Sequence, residues 1–122
     1  MFEVDDFGNI TLTQGDSGKL TVTGLPTDKD YKVYLGIQDE NRKPVGSEIV
    51  VQSNMSDTVV FAIMAALTDL LNVPKDEDYA IYPYGIKICY EPEGLEETLI
   101  IGEIATNTIT AYPKKVEGTL NG

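Results

Sequence analysis

The sequence has no histidine and no tryptophan, a single cysteine, and only 9 Lys plus Arg against 20 Asp plus Glu. Without an imidazole the chain lacks the usual general base near neutral pH, the commonest metal ligand and every triad built on histidine. The lone thiol, Cys89, has no partner for an internal disulfide, so the fold is not expected to depend on an oxidising compartment. A formal charge of -11 repels phosphate backbones and sets nucleic acid aside as a partner. The longest apolar run, Val59 to Leu67, is too short to span a bilayer, and the opening MFEVDDFGN has neither the basic start nor the apolar stretch of a secretory leader. The expectation is a protein made in the cytoplasm with no signal peptide, no membrane contact and no cofactor.

What is present is period-two alternation broken by turn residues, the pattern of strands with one face on a core. The 122 residues, 42% of them apolar, suit a single domain, expected over residues 1–113 with a flexible tail at 114–122. Ile10 and Leu12, then Leu20 and Val22, flank Gln14-Gly15-Asp16-Ser17-Gly18 and read as a hairpin. Further strands are expected at Tyr31 to Ile37, Ile49 to Val51, Val59 to Ile63, Tyr79 to Glu91, Leu99 to Gly102 and Thr106 to Tyr112. Between Ala65 and Val73 the period changes to a helical stripe of Ala66, Leu67, Leu70 and Leu71, which Pro74 ends. Within the long strand, Pro83 cannot donate to a ladder and predicts an edge or bulge, and Gly85 predicts a close backbone approach or bend. The fold class is therefore all-β, an antiparallel immunoglobulin-like sandwich of seven to nine strands with one short crossover helix.

Gly15-Asp16-Ser17-Gly18 spells the sequence around a serine-protease nucleophile, but no imidazole exists to take the proton. No catalytic residue is assigned, and the chain is not expected to be an enzyme. The acidic groups Asp5-Asp6, Asp28 with Asp30, Asp76-Glu77-Asp78 and Glu91 to Glu97 lack calcium-loop spacing and read as solvated turns, so no metal ligand is assigned. Asp78-Tyr79-Ala80-Ile81-Tyr82 matches the run that precedes the second cysteine of variable immunoglobulin domains, with Tyr84 at the cysteine position and Tyr82 placed as a corner tyrosine whose hydroxyl satisfies a turn. Tyr79, Tyr82, Tyr84, Tyr90 and Tyr112 are the candidate interface residues, because tyrosine joins a large apolar face to a polar tip.

The stretch Ile10 to Leu20, with Gln14-Gly15-Asp16 leading through Ser17 into a second strand, resembles the N-terminal domain of phage baseplate upper proteins. Tyr31 to Gln38, the polar turn Asp39 to Gly46 and Tyr84-Gly85-Ile86-Lys87-Ile88 are similar to the rest of that domain. The resemblance implies a non-enzymatic virion module in a tail or baseplate, whose partners are other phage structural proteins or copies of itself in a homo-oligomer. The alternative is a carbohydrate-binding or adhesin-type sandwich.

Overall fold

The computed structural model describes residues 1–99 and 107–116. Their strands are β1 (Phe2–Val4), β2 (Ile10–Thr13), β3 (Gly18–Val22), β4 (Lys32–Ile37), β5 (Ile49–Gln52), β6 (Val59–Ile63), β7 (Ala80–Tyr90), β8 (Leu95–Leu99) and β9 (Asn107–Tyr112). One helix, α1 (Ala65–Thr68), links β6 to β7. No helix among the described residues is long and apolar enough to cross a membrane.

A seven-stranded sheet runs β1-β2-β9-β7-β4-β5, with β8 also paired to β7, and β3 and β6 form a separate two-stranded sheet. The inward positions of the alternating strands meet in one core. Ile10, Leu12, Val33, Leu35, Ile37, Tyr84, Ile86, Ile109 and Ala111 from the large sheet pack with Leu20, Val22, Val59, Phe61 and Ile63 from the small one. The strand positions expected from alternation are thus largely those observed, and the described residues are mostly β with one short helix. The sheet is mixed rather than antiparallel, because β2 lies parallel to β9 with Ile10 opposite Ile109.

The expected β2–β3 hairpin does not form. The two strands belong to different sheets, and the glycine-rich segment between them is a corner held from outside. Thr68, fully buried in α1, donates its hydroxyl to the Asp16 carbonyl at 2.8 Å and accepts from the Gly15 amide at 3.1 Å. Ser17 faces solvent, so Ser17→Ala is expected to leave stability unchanged in a urea titration. The helix is shorter than its sequence stripe. After Asp69 the bonds tighten to three-residue steps, Leu70 to Leu67 and Leu71 to Thr68, which turns Leu71 into the core and leaves Leu70 half exposed. The chain crosses between the sheets at this point, as the sequence predicts.

The turn Ser53 to Ser56, closed by the Ser56 amide on the Ser53 carbonyl, puts both Asn54 and Met55 at positive φ, 54° and 60°. Asparagine tolerates that region and methionine does not. Met55→Gly is expected to raise stability by about 0.5–1 kcal/mol, the relief of strain exceeding the added freedom of the unfolded chain. Thermal unfolding of the two proteins checks this, and a lower midpoint for the variant contradicts it.

Pro83 is not on an edge strand, as β7 has neighbours on both sides. Its carbonyl accepts the Gln38 amide, so its nitrogen faces the same way, just past the last β4 pair, Ile37 with Tyr84. The reciprocal bond to the Gln38 carbonyl is the one that proline cannot make, and it falls just past the end of β4 rather than inside the ladder. Of the strand expected at Leu99 to Gly102 only Leu99, the last residue of β8, is described; residues 100–102 lie outside the described ones, as does Thr106. Of the expected tail, Lys114 is tied to Asp69 by an ion pair of 2.7 Å, and residues 117–122 lie outside the described ones.

Candidate functional site

Strand β7 organises the surface on which function has to rest. Its even-numbered residues point inward and its odd-numbered residues outward, and this parity sorts the five tyrosines named from the sequence. Tyr84 is 6% exposed and belongs to the core, so its ring is closed to any partner, which corrects its assignment as an interface residue. Tyr82 and Tyr90 are half-buried and pack against the same core. Only Tyr79 and Tyr112 are exposed, and they contact one another with ring centroids 5.9 Å apart. The five rings do not gather into one platform, which removes the geometric basis for a sugar-stacking site on them.

The inward tyrosines do structural work. The Tyr82 hydroxyl donates to the Asn72 carbonyl at 2.5 Å, which is the corner-tyrosine role expected of it. Tyr84 donates to the Gly8 carbonyl and so fastens β7 to the β1–β2 turn. Burial pushes the Tyr84 phenol up to about 12, with the Asp5 carboxylate adding to the shift. Because the folded value lies above the unfolded one of about 10, the neutral phenol is favoured by folding. Its contribution is present in full below pH 10 and lost as the pH rises towards 12. Alkaline difference titration is expected to show a late-ionising tyrosine that Tyr84→Phe removes, and its persistence in that variant contradicts the assignment.

Two surface features remain. The first is the free edge of β8. Ile86 pairs with Leu99 and Tyr84 pairs with Asn107, so over two residues of β7 the opposite chain advances by eight. Strands β8 and β9 therefore lie on the same side of β7, and among the described residues no strand pairs with the other side of β8. Residues 95–98 are all exposed. Glu96 reaches Lys87 on β7 at 3.3 Å, and nearby Lys29 bonds Glu93 at 2.9 Å while lying 4.8 Å from the centroid of the Tyr90 ring. The hydrogen bond to Glu93 holds the Lys29 ammonium above its ordinary value. An edge of this kind offers backbone groups to an incoming strand.

The second is a trough of about 740 Å³ on the outer face of the large sheet, between β4 and β7. Gly36 and Gly85, directly opposite one another, form its floor. Gly85 was marked by the sequence as a close-approach position, whereas its pairing with Gly36 required the register. Among the described residues no group of three or more Asp, Glu or Cys converges to hold a metal ion.

No family model and no curated protein matches the sequence. Solved structures do share the fold. The E. coli chaperone DraB superposes with a TM-score of 0.60 and 11% identity over 97% of this chain and 57% of its own. The periplasmic chaperone SfaE gives 0.54 and 11% over 91% and 57%. The Salmonella enterica SafA pilin in complex with the SafB chaperone gives 0.57 and 14% over 98% and 58%. The chain thus spans under three-fifths of the length of these structures. They overturn the expectation of a phage tail or baseplate module and its place in a virion, since the proteins that share this architecture are chaperones, one of them periplasmic. At these identities the likeness establishes the immunoglobulin-like fold of chaperones of this type as the fold of this chain.

Proposed function

We propose that this chain is a non-enzymatic, protein-binding module of the chaperone kind, which holds an extended segment of another polypeptide along the free edge of β8. The observation that carries the reading is the shared fold over 97–98% of the chain with DraB and with a chaperone captured on a pilin. The exposed edge supports it physically. Strand addition draws affinity from main-chain hydrogen bonds and specificity from alternate side chains, so it needs an unpaired strand and no catalytic group. The two sheets are read here as the layers of a sandwich, with β8 and β9 together continuing one side of β7. A foreign protein is the favoured partner, ahead of phage proteins or a copy of the chain, because SafB is seen with a pilin. The compartment follows the same reading, SfaE being periplasmic.

The test is to mix the chain in equal amounts with an aggregation-prone β-sandwich subunit that lacks its last strand. We expect light scattering by the subunit to be suppressed without ATP, and amide exchange in residues 95–98 to slow at the same time. Suppression with no slowing in β8 refutes the edge, and no suppression at all refutes the chaperone reading.

A further inference from the structure

We propose that Glu97 makes the β8 edge selective for an extended segment of another protein that sets a lysine or arginine against it. This rests on the reading of that edge as a strand-addition site and names the class of segment it takes. The two neighbouring carboxylates of β8 differ in their surroundings. Glu96 pairs with Cys89 on the outer face, and its charge is met there by Lys87 at 3.3 Å. Glu97 pairs with Ile88 on the face turned to the core, and it is exposed. Among the described residues no cation pairs with Glu97, and Lys29, on the neighbouring loop, is held by Glu93 at 2.9 Å. All nine Lys and Arg of the sequence lie among the described residues, so residues 100–106 and 117–122 hold no cation that could meet it.

The inner side of β8 is negative for a second reason. Tyr31 is buried and donates its hydroxyl to the Pro26 carbonyl at 2.7 Å. Burial holds its proton above the ordinary phenol range, and the Asp28 and Glu97 carboxylates add to the effect, so two separate elements bring negative charge to bear on one hydroxyl. An inward-pointing charge on an edge strand turns away an apolar strand, whose docking would bury the charge unpaired. It turns away a second copy as well. Two β8 strands centred antiparallel on one another set Glu97 opposite Glu97, and like charges directly opposite are destabilising. A foreign strand avoids both costs when it places a cation there, because directly paired side chains share a face and stand about 4.5–5.5 Å apart at Cβ. The preceding inner position of β8 is Leu95, opposite Tyr90 and 55% exposed, so an apolar side chain suits the guest two residues from its cation. The edge thus discriminates by rejecting wrong strands as much as by holding the right one. A chain of net charge -11 also draws a basic segment towards it before contact.

The test uses alternating threonine and valine decapeptides that carry lysine, glutamine or glutamate in place of one central valine, each titrated into the 15N-labelled chain. Amide shifts at residues 95–98 are expected to saturate at low salt, about threefold tighter with the lysine peptide than with the glutamine one and weakest with glutamate. The lysine advantage should shrink as added salt screens it. Glu97→Gln is expected to erase that advantage while leaving the glutamine peptide bound as before, and Glu97→Lys to turn the preference towards glutamate. Glu96→Gln, on the outer face, should change neither. Equal affinity for the three peptides overturns the selectivity and leaves the edge standing. So does a lysine preference that survives Glu97→Gln or vanishes with Glu96→Gln. No shift at residues 95–98 with any peptide overturns the edge and the selectivity together.

Discussion

Replacing Phe61 by alanine is expected to remove about 3–5 kcal/mol of unfolding free energy, the largest loss of any single substitution in the chain. Phe61 lies on the two-stranded sheet, opposite Leu20, with none of its surface exposed. A two-stranded sheet is marginal on its own and is held chiefly by what it buries against the larger one. The cavity left by the ring cannot be filled by sliding β6 sideways, since Val59 and Ile63 on the same face are also buried. For a domain of this size the loss is a large fraction of the total. Urea titration checks it, and a loss under about 1 kcal/mol would show that the small sheet does not depend on this ring.

Thr68→Val is the second large effect, expected at about 1–3 kcal/mol although the shape of the side chain barely changes. The hydroxyl links α1 to the backbone of the corner at both Gly15 and Asp16. Valine would leave an amide and a carbonyl without it, in a place from which Thr68 itself is wholly excluded from water. Thr68→Ser, which keeps the hydroxyl and loses a methyl, should lose less than valine if the bonds decide the outcome. Unfolding curves for the two variants give the answer directly, and a serine variant weaker than the valine one reverses the argument.

How much of this was written in the sequence depends on the range over which the information acts. Alternation is local, and it placed Val33, Leu35, Ile37, Val59, Phe61 and Ile63 inside, as found. The same alternation puts Tyr82, Tyr84 and Tyr90 on the core side of β7 and Tyr79 on the other, so the signal separating buried from exposed tyrosines was legible, although all five were named as interface. Partner choice is not local. Nothing in Ile10-Thr11-Leu12-Thr13 announces that its neighbour is Ile109 to Tyr112, and the glycine-rich segment after it looked like a hairpin turn because its anchor, Thr68, lies some fifty residues away. Strand β8 escaped notice because Glu97 occupies a position of inward parity, opposite Ile88, without being buried. A strand that overhangs its core carries no hydrophobic rhythm to read. The trough was half legible: Gly85 stood out, and Gly36 gained meaning only once the two were seen to be opposite.

The parallel pairing of β2 with β9 has a consequence in time. On a ribosome, residues 10–13 emerge long before residues 109–112, at a pace of about 5–20 residues per second. For several seconds the early strand therefore waits beside the exit tunnel with its inner face unclaimed, and no shorter nascent chain can assemble the finished sheet. Closure of so long a loop places this domain among the slower folders of its size. The β1–β2 turn, held by the Asp5 carboxylate accepting the Phe7 and Asn9 amides at 2.9 Å, offers the early strand a local companion during the wait.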